Sequence, residues 1–195
     1  MRKTAHKKLH HQFIDRWSPR AFSSEPIAEE DILTLFEAAR WSPSCYNEQP
    51  WRFVYAQHPD NLEKFRSVLV EANQAWANTA PLLVLAFCKK RFTHNGKSNR
   101  WADFDTGAAW MALALQAHQL GLITHAMGGF DTDKAFSVTG IDADEYEAMC
   151  AIAIGKPGDA NDLPDSLRTR ETPSERREMN EILFEGTVSP DVAKN

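Results

Sequence analysis

The spacing of apolar residues along the chain predicts alternating helices and strands. Between Glu29 and Arg40 apolar residues recur every three to four positions, the spacing of an amphipathic helix, and its acidic first turn suits the helix dipole. Aromatic and β-branched residues predict a strand over Trp51–Ala56. Two uninterrupted apolar runs, residues 82–88 and 149–154, have the length of strands buried on both faces. These segments predict a sheet that is covered by helices.

The remaining segments extend this alternation. Residues 103–120 predict a long helix that is apolar on nearly all faces, which places it in a core or a subunit interface, and Gly121 follows as its cap. Residues 91–100 predict a mobile polar loop, and residues 156–177, which contain three prolines, predict an extended excursion. Shorter patterns predict four helices at 4–14, 61–70, 73–77 and 145–148, and two strands at 123–127 and 181–184. Without a linker or repeat, residues 1–195 form one α/β or α+β domain.

Composition and charge exclude several classes of protein. With 195 residues, 43% of them hydrophobic and 25% charged, the chain has the composition of a soluble single domain. A net charge of −5 argues against general nucleic-acid binding, and the basic run at residues 2–8 predicts a solvated helix face rather than an arm for an acidic partner. No apolar stretch reaches the roughly 18 residues of a membrane span, and no apolar region of a signal peptide follows the basic N-terminus.

The cysteines and histidines predict neither a disulfide framework nor a metal site. The three cysteines are widely spaced and form no CxxC pattern, which fits a reducing cytoplasm. The adjacent His10 and His11 would point about 100° apart on a helix, a poor geometry for binding one metal ion.

Two cationic clusters predict an anion site if the fold brings them together. The first is the run Arg16-Trp17-Ser18-Pro19-Arg20, and the second is Arg176-Arg177, far along the chain. Arginine forks pair well with phosphate, and each charge-assisted hydrogen bond contributes about 1.5–3 kcal/mol. Taken alone, however, two arginines around a serine are more often a surface turn.

Further polar segments suit a flat heteroaromatic ligand. Pro43, Ser44, Asn47 and Gln49 follow the 29–40 helix, although such a loop by itself is more often a helix-terminating turn. After the strand at 123–127, Gly128 and Gly129 would let backbone approach a flat ring closely. Asn73 offers another amide, for which a helix cap is the simpler account.

Together these segments resemble the signature of the nitroreductase family of FMN-dependent oxidoreductases. The matching motifs are Arg-x-Ser-x-Arg and then Ala-x-x-x-Pro-Ser-x-x-Asn-x-Gln-Pro-Trp, and the resemblance extends from Arg16 to about Gly186. It implies an α+β sandwich with a mixed, mainly antiparallel sheet wrapped by helices. It also implies an obligate homodimer with two FMN sites at the subunit interface.

The resemblance also implies roles for individual residues. Arg16, Ser18 and either Arg176 or Arg177 would bind the FMN phosphate, and Arg20 would stabilise the negative charge of reduced flavin. The loop of Ser44 and Asn47 would reach the FMN of the partner subunit. The full set of cofactor-binding residues is Arg16, Trp17, Ser18, Arg20, Pro43, Ser44, Asn47, Gln49, Asn73, Gly128, Gly129, Arg176 and Arg177. No residue of the protein is assigned as a catalytic acid or base.

The activity that the resemblance implies is a ping-pong oxidoreduction. NADH or NADPH would reduce FMN at its N5 atom, and a small-molecule acceptor (a nitroaromatic, a quinone or a free flavin) would then take the electrons. Two alternatives remain at this stage. One is a flavoenzyme on the same scaffold that performs dehalogenation, dehydrogenation or flavin breakdown. The other is a flavin-binding dimer without catalysis. Both rest on Gly128, where relatives often have Glu, and on the unusual residues after Arg176.

Overall fold

A four-stranded antiparallel sheet forms the centre of the fold in the computed structural model, which describes Thr4 and residues 6–188. The strands are β1 (Trp51–Ala56), β2 (Leu82–Lys89), β3 (Ile123–Met127) and β4 (Tyr146–Gly155), in the spatial order β1-β2-β4-β3. The two central strands are therefore the apolar runs of the sequence. The edges of the sheet are β1 and β3, which have fewer apolar residues.

Helices cover both faces of this sheet. They are α1 (Gln12–Asp15), α2 (Glu29–Arg40), α3 (Pro59–Val68), α4 (Glu71–Ala77), α5 (Ala102–Gln119), α6 (Thr132–Thr139) and α7 (Asp165–Arg168). Short 3-10 turns lie at Cys45–Asn47, Ala160–Asp162 and Met179–Glu181. Within the described residues, none of these helices is both long enough and apolar enough to cross a lipid bilayer.

Two apolar cores lie on opposite faces of the sheet. Leu83, Leu85 and Phe87 of β2 face the core with α3, α4 and α6, whereas Leu82 and Val84 face the core with α2 and α5. Because successive side chains of a strand alternate between faces, a strand with helices on both sides needs apolar residues at every position. The three-layer arrangement thus explains the uninterrupted apolar runs.

Helix α5 combines a buried stripe with an exposed apolar surface. Ala109, Leu113 and Ala117 are fully buried against the sheet and α2. On the other side, Phe104 is 76% exposed and Met111 is also exposed. The predicted helix is confirmed, and within the described residues one of its apolar sides remains exposed. Gly121, with a φ of 73°, follows its end as predicted for a cap.

The predictions for β4 and for the end of the chain are wrong. Residues 145–148 are not a helix, because Tyr146, Glu147 and Ala148 pair with β2 and open β4. A register shift between Ala86 and Phe87 interrupts this ladder, so local composition does not reveal the pairing. Residues 181–184 are not a strand: Glu181 is the last residue of a 3-10 turn, and residues 182–184 have no strand partner among the described residues.

Two further expectations need correction. The helix predicted at 4–14 is limited to α1, because its apolar residues are few and Leu9 and Phe13 remain exposed; Ala5 lies outside the described residues. The sheet is not mixed, since all three strand pairings in the described part of the chain are antiparallel.

The helices predicted at 61–70 and 73–77 begin two residues earlier, as α3 and α4. Residues 91–100 form a loop that is closed by a bridge between Arg91 and Ser98.

Candidate functional site

A cavity of about 310 Å³ brings the two cationic clusters together. Arg16, Ser18 and Arg20 line it from the N-terminal segment, and Arg170 and Arg176 line it from the C-terminal excursion. Thr172 and Ser174 lie between these two arginines and add hydroxyl groups. Arg170 and Thr172 lie in a turn in which the Thr172 N–H donates to the Arg170 carbonyl at 2.9 Å. We refer to this cavity as the arginine cavity.

The structure distinguishes between the two arginines at the end of the excursion. Arg176 lines the arginine cavity and donates from Nη1 to the hydroxyl of Ser174 at 2.9 Å. Arg177 is absent from the described lining of this cavity, and its guanidinium lies 3.9 Å from a carboxylate oxygen of Glu181. The two arginines thus have different surroundings although they are adjacent in the chain.

A buried carboxylate holds the N-terminal motif in place. Oε1 of Glu171 accepts hydrogen bonds from the backbone N–H groups of Arg20, at 2.6 Å, and Ala21, at 2.9 Å. Its other oxygen lies 3.9 Å from the Arg20 guanidinium, and the Glu171 side chain is only 5% exposed. Glu171 therefore connects the C-terminal excursion to the motif more than 140 residues earlier, a connection that no spacing in the sequence indicates.

His125, on strand β3, also lines the arginine cavity. Its Nδ1 lies 2.9 Å from the carbonyl oxygen of Pro19, and its ring lies 4.6 Å from that of Trp76, the aromatic ring that Arg20 also contacts. Burial lowers the pKa of His125 below its ordinary value of 6.5, and the neighbouring Arg20 charge adds to this effect. The neutral imidazole then donates from Nδ1 to Pro19, and this bond holds the motif against the sheet.

The folded protein is expected to lose stability as pH falls below about 6.5 because of His125. Its pKa is lower in the folded chain than in the unfolded chain, so the unfolded chain binds more protons in this range. We expect His125→Asn, which keeps a donor for Pro19, to have a flatter dependence of unfolding free energy on pH. Urea unfolding at a series of pH values measures this, with the exposed His58→Asn as control. An equal slope in wild type and His125→Asn would contradict it.

Close backbone packing explains one of the two glycines after β3. The Gly129 carbonyl accepts hydrogen bonds from Asn73 Nδ2, at 2.9 Å, and from the Val70 N–H, at 3.2 Å. A Cβ atom on Gly129 would lie 2.8 Å from that Asn73 nitrogen. A Cβ on Gly128, by contrast, would meet no atom within 4 Å. The open space thus lies beside Gly128, while the Asn73 side chain supports the Gly129 backbone and is not a helix cap.

The loop of Pro43 to Gln49 is held in a strained conformation. Tyr46, Asn47 and Gln49 have φ angles of 53°, 54° and 50°, in the left-handed region that costs a non-glycine residue about 1–3 kcal/mol. Ser44 Oγ accepts from the Gln49 N–H at 2.9 Å, and Gln49 Nε2 donates to Asn47 Oδ1 at 3.1 Å. The buried Asp105 of α5 accepts from the Cys45 N–H. These contacts fix a conformation that the backbone alone would not adopt.

This loop and the arginine cavity lie at opposite edges of the sheet in one subunit. The loop leads into β1, whereas His125 of the cavity lies on β3, and strands at this spacing separate the two edges by about 14 Å. The side chains of Ser44, Asn47 and Gln49 hydrogen-bond within the loop itself. The fold of this chain therefore places Ser44, Asn47 and Gln49 away from the arginine cavity.

Comparison with known proteins agrees with this architecture. The sequence model of the nitroreductase family matches residues 14–156, which is most of the chain. The chain belongs to the nitroreductase family. Similarity to a protein of Streptomyces griseus, with the provisional name NADH dehydrogenase/NAD(P)H nitroreductase, amounts to 25% identity over 179 residues, 80% of this chain and 88% of the relative.

Two solved structures resemble this nitroreductase-family chain in fold, at different levels of sequence identity. A crystal structure described as an oxidoreductase containing FMN is 40% identical, has a TM-score of 0.92 and covers 96% of both chains. A provisionally named nitroreductase from Exiguobacterium sibiricum, solved in complex with FMN, is 20% identical with a TM-score of 0.77, over 90% of this chain and 95% of its own. The second comparison supports the fold alone.

Four residues that line the arginine cavity were not predicted from the sequence: His125, Arg170, Thr172 and Ser174. Glu171, which holds the N-terminal motif beside the cavity, was not predicted either. His125 lies within the short strand pattern at 123–127 and Glu171 in the polar excursion, and neither belongs to a recognised motif. Arg170 lies in the polar excursion, where the positive charge of its side chain was the available signal. In this nitroreductase-family chain, the recognised motifs therefore account for only part of the cavity.

Proposed function

We propose that this chain is an FMN-dependent oxidoreductase that uses NADH or NADPH as its electron donor. The observation that carries the proposal is the convergence of four arginines and three hydroxyl residues on the arginine cavity. A phosphate is dianionic near neutral pH and accepts several charge-assisted hydrogen bonds, so this set of donors fits it. The 40% identical relative is described as containing FMN, which supports FMN as the ligand that carries this phosphate.

The residues of the chain would divide the binding of FMN between them. Arg16, Ser18 and Arg176 would hold the phosphate, and the Arg20 charge would favour the reduced, anionic ring. The open space beside Gly128 leaves room for a flat ring close to the backbone. Bound FMN would supply the redox chemistry, taking electrons from the nicotinamide and passing them to a nitroaromatic, quinone or flavin acceptor. The protein supplies position and charge, and we assign no acid or base to it.

We further propose that a second copy of the chain completes each site. The loop of Ser44, Asn47 and Gln49 lies too far from the arginine cavity of its own subunit, so its strained conformation serves no ligand there. Near this loop, Tyr46 is 80% exposed and Phe104 of α5 is 76% exposed, an apolar surface typical of interfaces. A two-fold dimer would place the loop of one subunit at the cavity of the other.

Mixing two defective variants is expected to restore activity if the sites are shared. Arg16→Ala removes a phosphate contact, and Asn47→Gly removes the loop amide while tolerating a φ of 54°. A mixed dimer would hold one doubly defective site and one intact site. After random exchange of subunits, roughly a quarter of all sites would therefore be intact. Nicotinamide oxidation before and after mixing measures the recovery.

The same experiment can contradict shared sites. If each loop serves the cavity of its own subunit, every site in the mixture retains one defect and no activity returns. Mixing two batches of Arg16→Ala is the matched control, because it exchanges subunits without creating an intact site. Recovery in that control would show that exchange alone changes the activity.

An absorbance spectrum followed by anaerobic addition of NADH and then NADPH tests the function as a whole. Flavin bands that bleach rapidly with a nicotinamide support the oxidoreductase and identify its donor. Flavin bands that persist would favour a related flavoenzyme that catalyses dehalogenation, dehydrogenation or flavin breakdown. Protein that binds no FMN, even when FMN is added, would overturn the flavin proposal.

A further inference from the structure

A second cavity, of about 400 Å³, lies where β2, β4 and the beginning of α5 meet. Cys88 lies near the end of β2, and Glu147 is its cross-strand neighbour on β4. Asp103 lies in the first turn of α5. The Cys88 sulfur and one carboxylate oxygen from each acidic residue lie within 4.8 Å of one another. Three elements that are distant in sequence thus bring three potential metal ligands together.

Among the described residues, the two carboxylates of this cluster form no ion pair with the basic side chains that line the same cavity. The carboxylates are those of Asp103 and Glu147, and the basic side chains are those of Lys90, Arg91 and Arg100. These three basic side chains have other contacts. Lys90 Nζ donates to the Ala143 carbonyl at 2.8 Å, the Arg100 guanidinium lies 4.6 Å from the Trp101 ring centre, and Arg91 donates to the Gly96 carbonyl. The cavity therefore keeps two neighbouring carboxylates beside a thiol.

The surroundings of the Cys88 thiol oppose its ionisation unless a cation is present. The side chain is 1% exposed, and its thiol donates to Asp103 Oδ1 at 3.3 Å. Burial and the charges of Asp103 and Glu147 raise the pKa of Cys88 to about 12. A coordinated cation reverses this balance, because it stabilises the thiolate and both carboxylates together. The Met149 sulfur, 3.3 Å from the Cys88 sulfur, adds a soft neighbour.

Asn99 provides independent evidence that a ligand belongs in this cavity. Its side chain lines the cavity but belongs to a residue that is only 5% exposed. Oδ1 accepts from the Trp101 N–H at 3.1 Å, whereas Nδ2 has no hydrogen-bond partner within the described chain. A buried N–H donor without an acceptor is costly and rare. A water or hydroxide held by a cation in the cavity would supply the missing acceptor.

We propose that Cys88, Asp103 and Glu147 bind a divalent cation of the Zn²⁺ class. One thiolate and two carboxylates leave a fourth position of a tetrahedral site open, and Asn99 Nδ2 hydrogen-bonds to the water bound there. The mixture of soft sulfur and hard oxygen ligands suits a borderline cation rather than Mg²⁺ or Ca²⁺. The cation links β2, β4 and α5. The site is separate from the arginine cavity and does not depend on the proposed flavin chemistry.

Co²⁺ is the probe that tests this site, because a cobalt–thiolate bond absorbs in the near ultraviolet. Full-length protein is stripped of metal with a chelator and titrated with Co²⁺, and difference spectra cancel any flavin absorption. We expect the charge-transfer band to saturate at one Co²⁺ per chain and to disappear when Zn²⁺ is added. With Zn²⁺ at about 100 times its Kd, the midpoint of thermal unfolding is expected to rise by roughly 5–10 °C.

Matched variants assign the ligands. Cys88→Ser should lose the band, and Glu147→Gln, at an exposed position that tolerates change, should weaken Co²⁺ binding by about 100-fold. Cys150→Ser is the control: Cys150 also lies on the sheet, and burial alone raises its pKa to about 11. The proposal is overturned if wild type shows no band at millimolar Co²⁺, if the band survives in Cys88→Ser, or if Glu147→Gln binds as wild type. It is also overturned if Cys150→Ser loses the band.

Discussion

Arg16→Ala is expected to lower the affinity of the chain for FMN by about 10- to 150-fold, which corresponds to about 1.5–3 kcal/mol. Arg16 lines the arginine cavity, and its Nη1 lies 3.4 Å from Ser18 Oγ, so its fork and this hydroxyl face the same ligand. Truncation would remove the charge-assisted contact to phosphate that we propose for Arg16. Quenching of FMN fluorescence during titration of flavin-free protein measures the Kd.

The neighbouring pair Arg176 and Arg177 supplies the control for this prediction. Arg176→Ala should weaken FMN binding as much as Arg16→Ala does, because Arg176 lines the same cavity. Arg177→Ala removes the same charge one residue later, from a side chain that lies beside Glu181. It should leave the Kd within about threefold, since a surface ion pair contributes little. Equal losses in both variants would mean that net charge, and not the cavity, governs binding.

Gly158→Ala is expected to destabilise the fold by about 3 kcal/mol. An added Cβ would lie 2.5 Å from the backbone carbon of Phe22 and 2.6 Å from its oxygen, and backbone cannot move aside as a side chain can. The Gly158 N–H also donates to the Ala21 carbonyl at 2.8 Å. The midpoint of thermal unfolding should therefore fall by roughly 6–12 °C. The affinity for FMN should fall as well, because the residues displaced by this clash follow Arg20 closely in the chain and fix its position in the Arg16–Arg20 motif.

Gly107→Ala distinguishes this clash from a general effect of replacing glycine. Gly107 lies within α5, and a Cβ there would meet no atom within 4 Å. Alanine at an open helical position is expected to stabilise by up to about 1 kcal/mol. Calorimetry of both variants makes the comparison. A Gly158→Ala protein as stable as wild type would mean that residues 20–23 do not pack against Gly158 as described.

Local patterns were sufficient for most of the fold. Helix α2 and strands β1 and β3 begin and end at the predicted residues, because their spacing and composition are local properties. The pattern was insufficient at residues 145–148, where pairing with β2 across a register shift determines the structure. Helix α1 is shorter than predicted because a few apolar residues without a core to contact do not maintain a helix.

For the candidate site, too, the sequence indicated some of the residues but not how they meet. Motif residues such as Arg16 and Asn47 could be named from the sequence, because their types and spacing match a known family. Whether Arg16 meets Arg176 depends on how the excursion returns across the sheet, and the carboxylate that holds it there, Glu171, carries no motif. The left-handed backbone at Tyr46 lies in a loop that contacts distant residues, through the Cys45 N–H to Asp105 and the Tyr46 ring against Phe92.

The sequence by itself therefore determined the family, the order of the main elements and the kinds of side chain available for a cofactor. Only the tertiary structure decided which of these side chains meet: Arg176 rather than Arg177 in the arginine cavity, and Cys88 with two carboxylates in the second cavity. The physical reason is that periodicity and composition act over a few residues. Burial, charge balance and hydrogen bonding in a cavity, by contrast, depend on residues that only the packed chain brings together.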